Sequence, residues 1–164
     1  MRRLVGAVLV LGLLLGCRRP PLPPADAANP TPVDQGVREM AERIRQDLAK
    51  EGPRAWLRHF HRSPAFFMAS DGRLVFPSND SADVFVADLA TKIRAIDLTW
   101  GELRIDSLAP GLALMATPFK ESLTDTGGRT DRVEGYFTGV AQRVDSGWKL
   151  RSAHWSLASG MGRH

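Results

Sequence analysis

His154 is the side chain in this 164-residue sequence best suited to acid–base chemistry, because an imidazole can take or give a proton near neutral pH. It stands in Ala153-His154-Trp155-Ser156, close to the end of a β-rich stretch that runs from Arg132 to Leu157. Tyr136, the single Tyr of the chain, lies near the start of that stretch, and its hydroxyl could polarise a carbonyl group. Glu134, two positions earlier, shares its face near the strand's beginning. Each has a plainer role beside the chemical one: a hydrogen-bonded structural His, an amphipathic Tyr with a wet tip, and a solvated edge charge.

Two further sets of residues offer chemistry more weakly. Glu102, Arg104 and Asp106 alternate with Leu103 and Ile105, so a carboxylate and an orienting guanidinium share one face; an outward polar face explains the same alternation and is preferred. His59 and His61 are two residues apart near a helix end, whereas ligands on one helix need spacings of three or four, so no metal site is expected. The sequence contains no phosphate loop, Gly-rich dinucleotide turn, zinc spacing or Ser-centred nucleophile elbow, and no cofactor is expected.

The element that must position His154 is a long hairpin turning at Asp145-Ser146-Gly147. With those three residues as the loop, Val144 faces Trp148, Gln142 faces Leu150, Val140 faces Ser152, Thr138 faces His154 and Tyr136 faces Ser156. One face then carries Tyr136, Thr138, Val140, Trp148, Leu150, His154 and Ser156. The other carries Phe137, Ala141, Arg143, Lys149, Arg151 and Trp155. The hairpin reads as the floor of a cavity, with Thr138, Ser156, Trp148, Leu150, Glu134 and Trp100 as expected lining around His154 and Tyr136. Neither face is purely polar, so both should be covered, one by helices and the other by a partner or second subunit.

Upstream elements supply those helices. Val37, Met40, Ile44 and Leu48 recur at spacings of three and four behind Asp34, a plausible N-cap, giving a first helix that ends near Gly52. Pro53 can open a short second helix with Trp56, Leu57 and Phe60 on its apolar side. Asp71-Gly72 between two β-rich runs is a hairpin signal. A third helix follows the candidate caps Ser78 to Ser81, with Phe85, Leu89, Ile93 and Ile96 on one face. Four strands are then expected, the first over Leu98–Ser107, with Pro118 marking a bulge or an edge in the second.

The N-terminus states an address. Met1-Arg2-Arg3 precedes an apolar run from Leu4 to Leu15 that is too short to span a membrane, and residues 1–16 read as a signal peptide. Leu14-Leu15-Gly16-Cys17 resembles the lipobox of bacterial lipoproteins, which implies acylation of Cys17 and anchoring in the membrane. Arg18 after the Cys, rather than Asp, resembles lipoproteins sent to the outer membrane of Gram-negative bacteria, facing the periplasm. Cys17 is the single Cys, so the exported domain holds no disulfide. Residues 17–32 form a Pro-rich tether, 33–158 the folded domain and 159–164 a short tail.

An isoelectric point near 9.8 suggests nucleic acid, but the charge distribution opposes it. Arg2, Arg3, Arg18 and Arg19 carry the whole net charge of +4, leaving 18 basic against 18 acidic side chains in the rest of the chain. The excess flanks the membrane, and no nucleic-acid partner is expected.

Taken together, helix, short helix, hairpin, helix and long antiparallel meander form an α+β order that resembles the cone fold of the nuclear transport factor 2-like superfamily, in its SnoaL-like branch. Trp56 with Phe60, Asp71-Gly72-Arg73, the third helix, Gly147-Trp148-Lys149-Leu150 and His154-Trp155-Ser156 carry the resemblance. It implies a curved sheet wrapped around helices, an apolar cavity, and a homodimer formed through the outer sheet face. It fixes no reaction, because the superfamily mixes enzymes with binding and assembly factors. Three readings follow. The favoured one is a module binding a small hydrophobic ligand or peptide. The second is a cofactor-independent dehydratase, isomerase or hydrolase with His154 as acid or base and Tyr136 as helper. The third is an interaction scaffold without an open cavity, using the outer face around Phe137, Arg151 and Trp155.

Overall fold

The computed structural model describes residues 31–158; Cys17, the signal segment, nearly all of the tether and the tail lie outside the described residues. Helix α1 (Pro32–Glu51) buries the expected stripe: Val37, Met40, Ile44 and Leu48 are all 0 % exposed. Its cap differs from the expectation. Thr31, not Asp34, is the N-cap, accepting a hydrogen bond from the Asp34 backbone N–H at 3.1 Å, because Pro32 fixes the first helical φ two residues earlier. Asp34 falls in the first turn and pairs with Arg38 at 2.7 Å. The helix lies so close to the sheet that a Cβ on Gly36 would sit 2.3 Å from Trp148 Nε1, which is why a residue with no side chain stands there.

A 3-10 turn (Gly52–Ala55) and the short helix α2 (Trp56–His59) follow, joined to α1 by Gly52 at φ +70°. Strands β1 (Phe67–Ser70) and β2 (Arg73–Phe76) form the expected hairpin, with Asp71 and Gly72 both at positive φ as a type I′ turn requires. Helix α3 (Asn79–Lys92) starts at Ser78, whose backbone N–H and side chain are both paired with Ser81. It ends earlier than its apolar stripe suggested: Ile93 and Ile96 belong to strand β3 (Ile93–Trp100), and Ala82 and Val86 are the buried helical positions.

Among the described residues seven strands make one sheet. Strands β4 (Arg104–Ala109), β5 (Leu112–Asp125), β6 (Thr130–Val144) and β7 (Gly147–Leu157) complete it, in the order β2-β1-β7-β6-β5-β3 with β4 also on β5. The single strand expected over Leu98–Ser107 is broken at Gly101-Glu102-Leu103, so β3 pairs the far half of β5 and β4 the near half. Pro118 sits at that break, between Phe119, which pairs Trp100, and Ala116, which pairs Arg104. Its missing N–H therefore costs no ladder bond on that side, and its carbonyl accepts from Gly101 N–H at 2.8 Å.

The β6–β7 hairpin corrects the expected register near its turn. Val144 pairs Gly147, so the loop is two residues long, and Arg143 pairs Trp148 while Ala141 pairs Leu150. A bulge at Arg151 then absorbs one residue and restores Val140 with Ser152, Thr138 with His154 and Tyr136 with Ser156. One inserted residue reverses the faces along β7. Trp148 and Leu150 before the bulge point inward, and Ala153 after it does too, with Phe137 and Ala141 opposite them on β6. His154 consequently stands on the outer face of a central strand, between Thr138 of β6 and Ala69 of β1.

Candidate functional site

The inner face of the sheet is packed at one end and hollow at the other. Strand β5 shows how. Ala113, Met115, Thr117 and Phe119 alternate inward and are buried, and the same period carries Glu121 and Leu123 inward next. Where α1 covers the sheet, the space is filled by Met40, Ile44 and Leu48. Beyond it, between the sheet, α2, α3 and the β1–β2 hairpin, lies a cavity of about 260 Å³.

Its walls are mostly rings. Trp56 enters from α2 and Phe60 from the residue just after it, Phe76 from the hairpin, Phe85 from α3, and Trp100, Phe119, Phe137 and Trp155 from the sheet. Trp100 is fixed by donating its indole N–H to the Ala41 carbonyl at 2.9 Å, and packs at 59° on Phe137 with centroids 5.3 Å apart. Gly139 leaves room for that Phe137 ring, since a Cβ there would lie 2.8 Å from it.

Glu121 is the one ionisable side chain in the lining. Its register neighbours are Leu98 on β3 and Val133 on β6, so neither adjacent strand supplies a charge. Among the described residues it has no ion-pair or side-chain hydrogen-bond partner, and burial alone pushes its carboxyl up to about 7. A carboxyl in that range is present in both protonation states at neutral pH and can accept or donate a proton or a hydrogen bond. Glu121 was not among the candidates read from the sequence. The available signal was its parity with Met115, Thr117 and Phe119, an acidic residue at an inward position of an otherwise apolar row.

The expected site residues do not gather around this cavity. Leu150 and Trp100 line it. Trp148 is buried in the packed end against Gly36 and does not line it. The expectation that His154 faces the cavity is corrected: the bulge at Arg151 turns it outward, where it is exposed. Thr138 shares that outer face. Tyr136, 42 % exposed, Glu134 and Ser156 line a different, open concavity of about 460 Å³ on the outer side, bounded by Pro118, Lys120 and Leu157. Glu134 lies 3.8 Å from Lys120 there. Trp100 and Phe119 border both spaces. Phe137 and Trp155, expected outside, line the inner cavity.

The remaining candidates lie outside the cavity lining. Glu102, Arg104 and Asp106 are exposed on the outward polar face, as the alternation with half-buried Leu103 and Ile105 suggested. His59 is buried with its Nε2 2.9 Å from Asp47 Oδ2, and burial lowers its affinity for a proton while Asp47 partly restores it. Burial opposes ionisation of Asp47 as well, but hydrogen bonds from Arg58 and His59 hold its carboxyl below the usual range. Asn79 donates to the backbone carbonyl of His61 at 3.3 Å, and the ring Nδ1 of His61 is buried without a hydrogen-bond partner. Among the described residues no three His, Cys, Asp or Glu side chains converge as a metal site.

Comparison with known proteins establishes the fold. No family model matches the sequence, and no curated protein does. Solved structures do. A nuclear transport factor 2-like superfamily protein from Salmonella enterica superposes with a TM-score of 0.64 at 17 % identity, over 80 % of this chain and 96 % of that one. A candidate scytalone dehydratase from Novosphingobium aromaticivorans gives 0.67 at 14 % identity, over 79 % and 87 %. A candidate calcium/calmodulin-dependent protein kinase II association domain from Xanthomonas campestris gives 0.65 at 18 %, over 78 % and 89 %. The chain has the α+β cone fold of the nuclear transport factor 2-like superfamily.

Proposed function

We propose that this domain binds one small, largely apolar molecule inside the cone, with Glu121 as its polar contact, and that it does so from a lipid anchor at Cys17 on the periplasmic side of the outer membrane. The observation that carries the reading is the cavity itself: aromatic and aliphatic walls around a single unpartnered carboxyl. At about 260 Å³ it has the space of roughly nine liquid waters, which suits a ligand of about ten non-hydrogen atoms. The cavity, with Phe137 and Trp155 in its lining, supports this reading more than a scaffold using those side chains on the outer face.

The test is ligand-observed NMR with small aromatics such as toluene and indole, on the full chain in lipid nanodiscs with empty nanodiscs as the blank. Saturable binding with a dissociation constant below about 1 mM, abolished by the cavity-filling Leu89→Trp, is the expected result. Partitioning that is identical with and without protein would contradict it.

A second reading rests on the same carboxyl. A group ionised about half the time near neutral pH, in a cavity walled mostly by apolar side chains, suits a proton shift within one substrate, taking the proton from one atom and returning it to another. Glu121 then has the acid–base role first expected of His154. One solved structure of the same fold is that of a candidate scytalone dehydratase. Turnover lost in Glu121→Asp as well as Glu121→Gln, with binding retained, would favour this reading over binding alone.

A further inference from the structure

Resting on the proposed cavity site, we infer that its ligand is a small organic cation, an amine or quaternary ammonium carried on an apolar body. Two features of the cavity point to the same charge.

The first is the unpartnered carboxyl. Ionised and flanked by Leu98, Leu123 and Val133, half-buried Glu121 is partly withdrawn from water without gaining a cation, and no other lining side chain ionises to supply one. The other carboxylates packed near the helices are treated differently: Asp47 has Arg58 and His59, and Asp83 has Arg62 at 2.8 Å. An arriving cation would complete the one carboxylate in the cavity lining. An anion would be repelled, and a neutral hydrocarbon would remove the remaining water from the carboxylate and give nothing back.

The second feature is the aromatic wall. Ring faces carry negative charge and attract a cation, most strongly where water is excluded. Trp56 and Phe60 stack at 21°, but the other pairs meet at an angle: Phe76 and Trp155 at 45°, Phe76 and Phe85 at 58°, Trp100 and Phe137 at 59°. Tilted pairs leave ring faces uncovered by their neighbours. A carboxylate alone would be served by any hydrogen-bond donor, and rings alone by any hydrocarbon. Together they select a molecule that is both apolar and positively charged.

The experiment compares two probes of one shape, benzyltrimethylammonium and neopentylbenzene, which differ by nitrogen for carbon. Both are titrated against the full chain in nanodiscs, read by the fluorescence of the cavity tryptophans. The cation is expected to bind at least tenfold more tightly at pH 8. In Glu121→Gln the preference should fall below twofold while the hydrocarbon still binds, which shows the variant's cavity intact. In the unmodified chain, cation affinity should drop roughly tenfold for each pH unit below the carboxyl's titration, with hydrocarbon affinity flat. Equal or tighter binding of the hydrocarbon at pH 8 overturns the cation inference and leaves the apolar-pocket reading standing. If neither probe binds, both fall.

Discussion

His59, buried between the helices, and Glu121, half-buried in the cavity lining, are ionisable side chains provided for in opposite ways. His59 lies where the helices close on each other, with Asp47 at 2.9 Å and Arg58 beside that carboxylate. Glu121 lies where the sheet leaves the helices, among apolar side chains, with no partner of its own. Burial weakens ionisation of both groups, but only the first has its polar atom answered by the protein. The difference is what supports the proposed site: Asp47 answers His59 within the fold, whereas the unpartnered carboxyl of Glu121 opens onto a cavity.

The contrast between packed and hollow ends should be visible in stability first. Leu48→Ala, at a fully buried position of α1, should cost about 2–5 kcal/mol in denaturant unfolding, whereas Leu89→Ala, facing the cavity, should cost below about 1.5 kcal/mol. Comparable losses would mean that the two ends are packed alike.

Next in size is the pH dependence of Glu121. Its carboxyl rises from 4.5 to about 7 on folding, so its favourable contribution is complete below pH 4.5 and is lost as pH rises through about 7. Glu121→Gln should therefore stabilise the protein by up to about 3 kcal/mol at pH 8 and leave it nearly unchanged at pH 4. A variant less stable at pH 8 would show that the carboxylate is answered after all.

The smallest effect belongs to the satisfied pair. Asp47→Asn should cost about 1–2 kcal/mol at pH 7, as a charge-assisted bond is lost. Since burial depresses proton binding by His59, its contribution is present above pH 6.5 and lost as pH falls below it. Removing Asp47 deepens that acid loss, which unfolding curves between pH 7 and 5 would register.

Much of this architecture is readable from local chemistry. The period of Val37, Met40, Ile44 and Leu48 gives α1, and Asp71-Gly72 gives the β1–β2 turn, because each signal is carried by residues adjacent in the chain. Thr138 does pair His154, Val140 does pair Ser152, and Tyr136 does pair Ser156. What was not readable is the bulge at Arg151, which compensates a tighter turn and reverses the faces along β7. Both faces of that strand carry apolar residues, so hydrophobic alternation could not reveal the slip. The parallel pairing of β1 with β7, which makes β7 an interior strand, depends on contacts between residues more than eighty positions apart. Glu121 was hidden for a different reason: its burial follows from the parity of β5, a strand whose inward face is obvious only once Met115 and Phe119 are known to be covered.

The most direct measurement is the titration of the Glu121 carboxyl carbon by ¹³C NMR in the ligand-free protein, assigned through Glu121→Gln. A midpoint near 7 is the result expected of a lone carboxyl among apolar side chains. A midpoint near the ordinary 4.5 would mean that water or a protein partner already answers it, and would contradict the site proposed here.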